Sequence, residues 1–153
     1  MGCEITVIDD RKLNGWLASV FRFGEIYMRD VKSMVQNVIH AAKTREIDRL
    51  NIIDHGDEDG IQIGDDYVSD LSLSKFKPAL RRLRGNFSDD GFVHLQHCQV
   101  GEDRVLLLEL AKLWGVCVYA GTGYEQGVFR FNTGYYVCAY PDGTTFETDV
   151  ERP

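Results

Sequence analysis

The chain has 153 residues, of which 44% are apolar and 27% charged. That length and balance suit one folded domain, residues 1–153, with a single sizeable core, and they exclude a disordered chain or a multidomain array. With 24 acidic against 17 basic side chains the formal charge is −7, which argues against a partner held through a broad basic face, nucleic acid above all.

In chain order, Glu4-Ile5-Thr6-Val7-Ile8 alternates and is rich in β-branched residues, so it reads as a half-buried strand ended by Asp9-Asp10. Met1-Gly2-Cys3-Glu4-Ile5-Thr6 also fits a loose acylation pattern, but the strand is the better reading. Residues 13–28 do not decide between strands and a short helix. From Asp30, an N-cap, Val31, Met34, Val35, Val38, Ile39 and Ala42 follow helical spacing to about Thr44. Leu50-Asn51-Ile52-Ile53 reads as a buried parallel strand, and residues 61–68 as a hairpin beyond it.

A second helix is expected from Ser72 or Ser74 through Leu80 and Leu83 to Gly85, with Pro78 tolerable only in its first turn. The run Arg81-Arg82-Leu83-Arg84 reads as the solvated end of that helix. Phe92-Val93-His94-Leu95 is the next core strand; Asp103 caps a helix over Arg104 to Trp114, which Gly115 ends. Val116 to Ala120 is a third core strand, before Gly121-Thr122-Gly123. The remaining stretches, 126–131, 135–140 and 144–148, alternate between good turn sequences and predict an antiparallel meander. The fold class is therefore α/β: a largely parallel sheet with helices on both faces, plus a C-terminal antiparallel meander.

No run approaches the roughly 20 apolar residues of a membrane span, and no signal sequence opens the chain, so a soluble, cytoplasmic protein is expected. Cys3, Cys98, Cys117 and Cys138 show no CxxC spacing and read as reduced thiols. Oligomeric state is not legible.

Reactive groups in open parallel sheets collect where strands end at their carboxyl edge. One such end delivers His55-Gly56 and the next delivers His97-Cys98. A thiol becomes a nucleophile as thiolate, and a histidine in reach supplies a base and a stabilising charge. Gly56, without a side chain, lets its N–H approach a substrate carbonyl, and with the N–H of Cys98 it can form an oxyanion hole. Core packing for Cys98 and turn chemistry for His55 are the bland alternatives. His94 reads as a sheet-face histidine. Alternation puts His97 opposite His94 and Cys98, which argues against a zinc site.

The blocks Ile52-Ile53-Asp54-His55-Gly56 and Val93-His94-Leu95-Gln96-His97-Cys98 resemble the signature of the caspase-like cysteine peptidases (clan CD). Their His and Cys stand 43 residues apart, near the roughly 50 of caspases. The layout over residues 48–125 is also similar to a bacterial caspase-like domain of unassigned function found at the start of cadherin-like adhesins. The resemblance implies His55 as general base, Cys98 as nucleophile, Gly56 and Cys98 as oxyanion donors, and a peptide or protein substrate cleaved through a thioester. It implies that Gly121-Thr122 borders the substrate cleft. Two positions depart from the family pattern: bulky His97 before the nucleophile and Asp54 before His-Gly. A catalytically silent caspase-like binding or scaffolding module is the alternative reading, and the aromatic C-terminal strands offer it a surface.

No cofactor is expected. Asp57-Glu58-Asp59-Gly60 is similar to the front of a calcium loop but lacks the spacing and terminal Glu of an EF-hand; calcium stays open because some clan members bind it. Between Leu50 and Ser74 there are seven acids (Asp54, Asp57, Glu58, Asp59, Asp65, Asp66, Asp70) and no Lys or Arg, which equals the whole net charge. With Asp54, Asp57, Asp59 and His97 beside the proposed base, this field predicts cutting after basic residues, unlike the Asp preference of caspases.

Overall fold

The structure is a computed structural model that describes residues 2–9, 25–97, 99–123, 125–126, 131–132 and 134–149. Two strands, β1 (Cys3–Ile8) and β2 (Glu25–Tyr27), precede helix α1 (Val31–Ala42) and strand β3 (Ile47–Ile53). Three short strands follow, β4 (Gly56–Asp57), β5 (Gly60–Ile63) and β6 (Asp66–Ser69), and then α2 (Leu73–Leu80) with a 3-10 turn at Arg81–Leu83. Strand β7 (Phe87–Gln96) leads through a 3-10 turn, Val100–Glu102, into α3 (Arg104–Trp114) and β8 (Cys117–Gly121). The chain closes with β9 (Glu125–Gln126), β10 (Phe131–Asn132), β11 (Tyr136–Ala139) and β12 (Thr145–Thr148).

Seven strands form the main sheet in the order β12-β11-β8-β7-β3-β1-β2. From β2 to β8 all neighbours are parallel, while β11 and β12 join antiparallel at the far edge. The mostly parallel α/β architecture and the antiparallel C-terminal strands are as the pattern predicts. Among the described residues β9 pairs with β10 and β11 pairs with β8; residues 127–130 of the expected meander lie outside them.

The helices form for local reasons. Asp30 and Ser33 make a reciprocal capping box at the start of α1, and Asp66 reaches across to accept the Val31 N–H at 2.9 Å. Met34, Val35 and Val38 are fully buried along its inner face, each contributing about 1.5–3 kcal/mol of apolar burial. In α3, Asp103 accepts the Leu106 N–H at 3.0 Å and left-handed Gly115 ends the helix. Pro78 corrects the expectation for α2, because it sits well inside the helix rather than in the first turn. Its missing N–H would have bonded Ser74, and both residues are exposed, where a carbonyl left over costs least.

Alternation divides the sheet into two unlike faces. Ile5, Leu50, Val93, Val118 and Ala139 lie in register and share one apolar cluster with the buried residues of α1, α2 and α3. The three described helices thus pack on this face. On the other face Thr6, Asn51, His94, Tyr119 and Cys138 form one row. There Asn51 donates to Glu4 and Thr6, Arg49 donates to Asn51 at 2.8 Å, and His94 packs edge-on against Tyr119, which stacks on Tyr136. Among the described residues no helix is long and apolar enough to cross a membrane.

Candidate active site

Three adjacent parallel strands end at one level, because Ile8 pairs with Ile53 and Ile53 with Gln96. The next residues along this carboxyl edge are Asp9, Asp54 and His97. The β4–β5–β6 lobe, a three-stranded antiparallel sheet, grows directly from the end of β3.

Asp54 makes that exit. One carboxylate oxygen accepts the His55 N–H at 2.7 Å and the other accepts the Gly64 N–H at 2.9 Å, so the side chain ties the start of the lobe to the turn between β5 and β6. His55 itself is exposed, and its carbonyl accepts the Gln62 N–H at 2.9 Å. That bond makes Gly56–Ile61 a rung whose own N–H groups point away from each other's strand. The Gly56 N–H is consequently not used by β5.

His97 is completely buried and donates from Nε2 to the Gln62 carbonyl at 2.9 Å. A carbonyl acceptor requires the proton on that nitrogen. Gln62 therefore bridges the ends of β3 and β7, with its N–H on His55 and its C=O on His97. His94 points to the opposite face, as alternation predicts. Cys98 lies outside the described residues. Beyond it Gln99 adopts the left-handed conformation (φ 59°) and donates its N–H to Gly123 at 2.7 Å. Gly101 is packed so closely on Gly121 that a Cβ would stand 2.7 Å from its carbonyl. Thr122 is held in turn by Tyr135, exchanging hydrogen bonds through its hydroxyl at 3.0 and 3.1 Å. The loop carrying Gly121 and Thr122 and the turn after Cys98 are thus packed as one unit.

Asp57-Glu58-Asp59-Gly60 closes the tight turn between β4 and β5. One Asp57 oxygen accepts from the Tyr67 hydroxyl at 2.7 Å and from the N–H groups of Asp59 and Gly60. The Tyr67 bond, against the opposing effect of burial, holds the Asp57 carboxyl below its usual range, and burial together with that same bond pushes the Tyr67 phenol up. Asp59 is exposed. Burial raises Asp103, and the charges of Asp70 and Asp59 add to it. Among the described residues no group of three His, Cys, Asp or Glu side chains could hold a metal ion.

Asp9 is the residue sequence reasoning passed over. It is 1% exposed at the end of β1, in line with Asp54, with Arg29 at 3.5 Å. The signal was present as an acid directly after an apolar strand; only the strand order reveals that this strand borders β3.

A family model described as Domain of unknown function (DUF4347) matches residues 20–127. No curated protein and no solved structure matches the chain.

Proposed function

The chain belongs to the DUF4347 family, and from that premise we propose that it is a caspase-like cysteine peptidase, or an autoprocessing one, with Cys98 as nucleophile and His55 as base. The observation that carries this reading is the rung Ile53–Gln96, the last one shared by two neighbouring parallel strands: in the sequence His55 and Cys98 each come two residues after it. The N–H of Gly56, not used by β5, supports its role as an oxyanion donor beside the N–H of Cys98.

In this mechanism His55 takes the thiol proton and the thiolate sulfur bonds to the substrate carbonyl carbon. The carbonyl oxygen becomes an oxyanion held by the two N–H groups. Collapse breaks the C–N bond, and the leaving amine takes the proton from His55. Water then attacks the thioester with His55 as base, releasing the acid and restoring the thiol. Asp9, buried at the same edge, and the seven acids of the lobe favour a basic residue before the scissile bond.

The test is cleavage of an unbiased peptide mixture by the wild type and by Cys98→Ala. Cuts after Arg or Lys that vanish in the variant are the expected result. No wild-type cutting across pH, with and without calcium, would favour the silent binding module, and cuts after acidic residues would refute the basic preference.

A further inference from the structure

Charge along the chain is sorted into adjacent blocks. Residues 54–70 carry seven acids and no Lys or Arg, whereas residues 71–88 carry five cations, Lys75, Lys77, Arg81, Arg82 and Arg84, and no acid. The fold sends the two blocks to opposite edges of the sheet. The acidic block is the lobe at the carboxyl edge. The basic block is α2 with its 3-10 turn, which ends at the amino edge, where Asn86 accepts the N–H of Ile47 at the start of β3.

At that edge the end of α2 meets the end of α3, fastened by the Trp114 indole N–H on the Leu80 carbonyl at 3.0 Å. Lys77, Arg81, Arg84 and Lys112 surround an open hollow of about 200 Å3 there, with Glu109 and Leu113. Two of the cations have internal roles: Lys77 pairs with Glu109 at 3.5 Å, and Arg84 donates to the Lys112 carbonyl at 2.7 Å. The Arg81 and Lys112 head groups are exposed with no partner among the described residues, and exposed Arg82 lies beside them. In the lobe, Asp54, Asp57 and Asp66 are taken up by backbone N–H groups and Tyr67, while Glu58, Asp59 and Asp70 are exposed.

We infer that the hollow receives the acidic lobe of a second copy of this chain, in a head-to-tail contact. A compact anion seated deep in the hollow would meet the carbonyls of Lys112 and Leu113, the negative end of α3. Carboxylates spaced along a hairpin reach the cations at the rim without approaching that floor. Because the two surfaces are different patches, the contact is heterologous, and it adds copies in a ring or a line. It does not depend on the Cys98–His55 reading.

Sedimentation velocity of the full chain at about 20 mM and about 500 mM salt tests it, since screening shortens the reach of the charges from roughly 20 Å to a few ångströms. Association at low salt is expected to weaken at least tenfold at high salt. Two double variants, Arg81→Glu with Lys112→Glu and Glu58→Lys with Asp70→Lys, are first matched to the wild type by circular dichroism. Each alone is expected to remain monomeric, and their equimolar mixture to associate, because the reversed hollow of one meets the reversed lobe of the other. A wild type that stays monomeric at low salt, association indifferent to salt, or a mixture no better than its components would overturn the proposal. Retention of a short polyglutamate by a wild type that stays monomeric would assign the hollow to a foreign acidic partner and equally overturn it.

Discussion

Ile53 and Gln96 face each other as the last rung shared by β3 and β7, and His55 and Cys98 both follow that rung by two residues. If His55 holds Cys98 as thiolate, iodoacetamide alkylates Cys98 well below the ordinary thiol pKa of about 8.5. His55→Gln is expected to move the inflection of the rate profile up towards that value. Cys3, Cys117 and Cys138 are buried, and Cys98→Ala supplies the blank. An inflection that stays in place would separate the two residues.

His97 ties the lobe to β7 through Gln62. Replacing it by Ala leaves a buried carbonyl without its donor and a void beneath the lobe, with an expected loss of roughly 2–3 kcal/mol in urea denaturation. Amide exchange should accelerate most over residues 55–69. Uniform acceleration across the sheet would argue that His97 supports the whole fold rather than the lobe.

Gly64 and Gly85 both have positive φ, but their surroundings differ. A Cβ at Gly64 would lie 2.0 Å from the Arg29 carbonyl oxygen, whereas one at Gly85 meets nothing within 4 Å. Gly85→Ala should therefore cost only the left-handed penalty, about 1–2 kcal/mol. Gly64→Ala adds a backbone clash and should lower the melting temperature distinctly more. Equal losses would mean that the lobe tip can shift off Arg29 freely.

The Asp57–Tyr67 pair gives a pH window. Asp57 is depressed in the folded state, so its contribution is present above the unfolded value of about 3.9 and is lost as pH falls through the folded one. Tyr67 is raised, so its contribution is fully present below about 10 and fades as pH climbs towards the folded value. Tyr67→Phe is expected to cost about 1 kcal/mol between those limits, since the bond is near the surface. The wild-type and variant melting curves should converge in acid; a constant gap down to pH about 2 would assign the loss to packing instead.

The elements that sequence makes legible here are those whose signals are local. Asp30, Asp103 and Gly115 cap where they stand, and Leu50–Ile53, Phe92–Leu95 and Val116–Ala120 are apolar runs of strand length. Pairing is not local. Nothing in residues 56–57 announces β4, because a two-residue strand has no period to read, and Asp9 looks like a strand terminator until β1 is seen beside β3. Pro78 misleads because a propensity rule cannot know that Ser74 faces water. For the site, the position of His55 at the carboxyl edge follows from the apolar run before it. The bridging role of Gln62 is invisible, because its backbone carries it.

The Asp66 carboxylate on the first N–H of α1 bears on how a substrate would enter. The lobe holding His55 and Gly56 cannot rise from the sheet without uncapping α1, and it also grips Arg29 through the Asp65 N–H at 2.7 Å. Its opening is coupled to the fraying of a core helix, so it belongs to the cooperative unit of the fold and not to the low-stability segments from which lids are drawn. If the proposed peptidase reading holds, substrate reaches His55 without this lobe lifting, and turnover owes little to gating on this side.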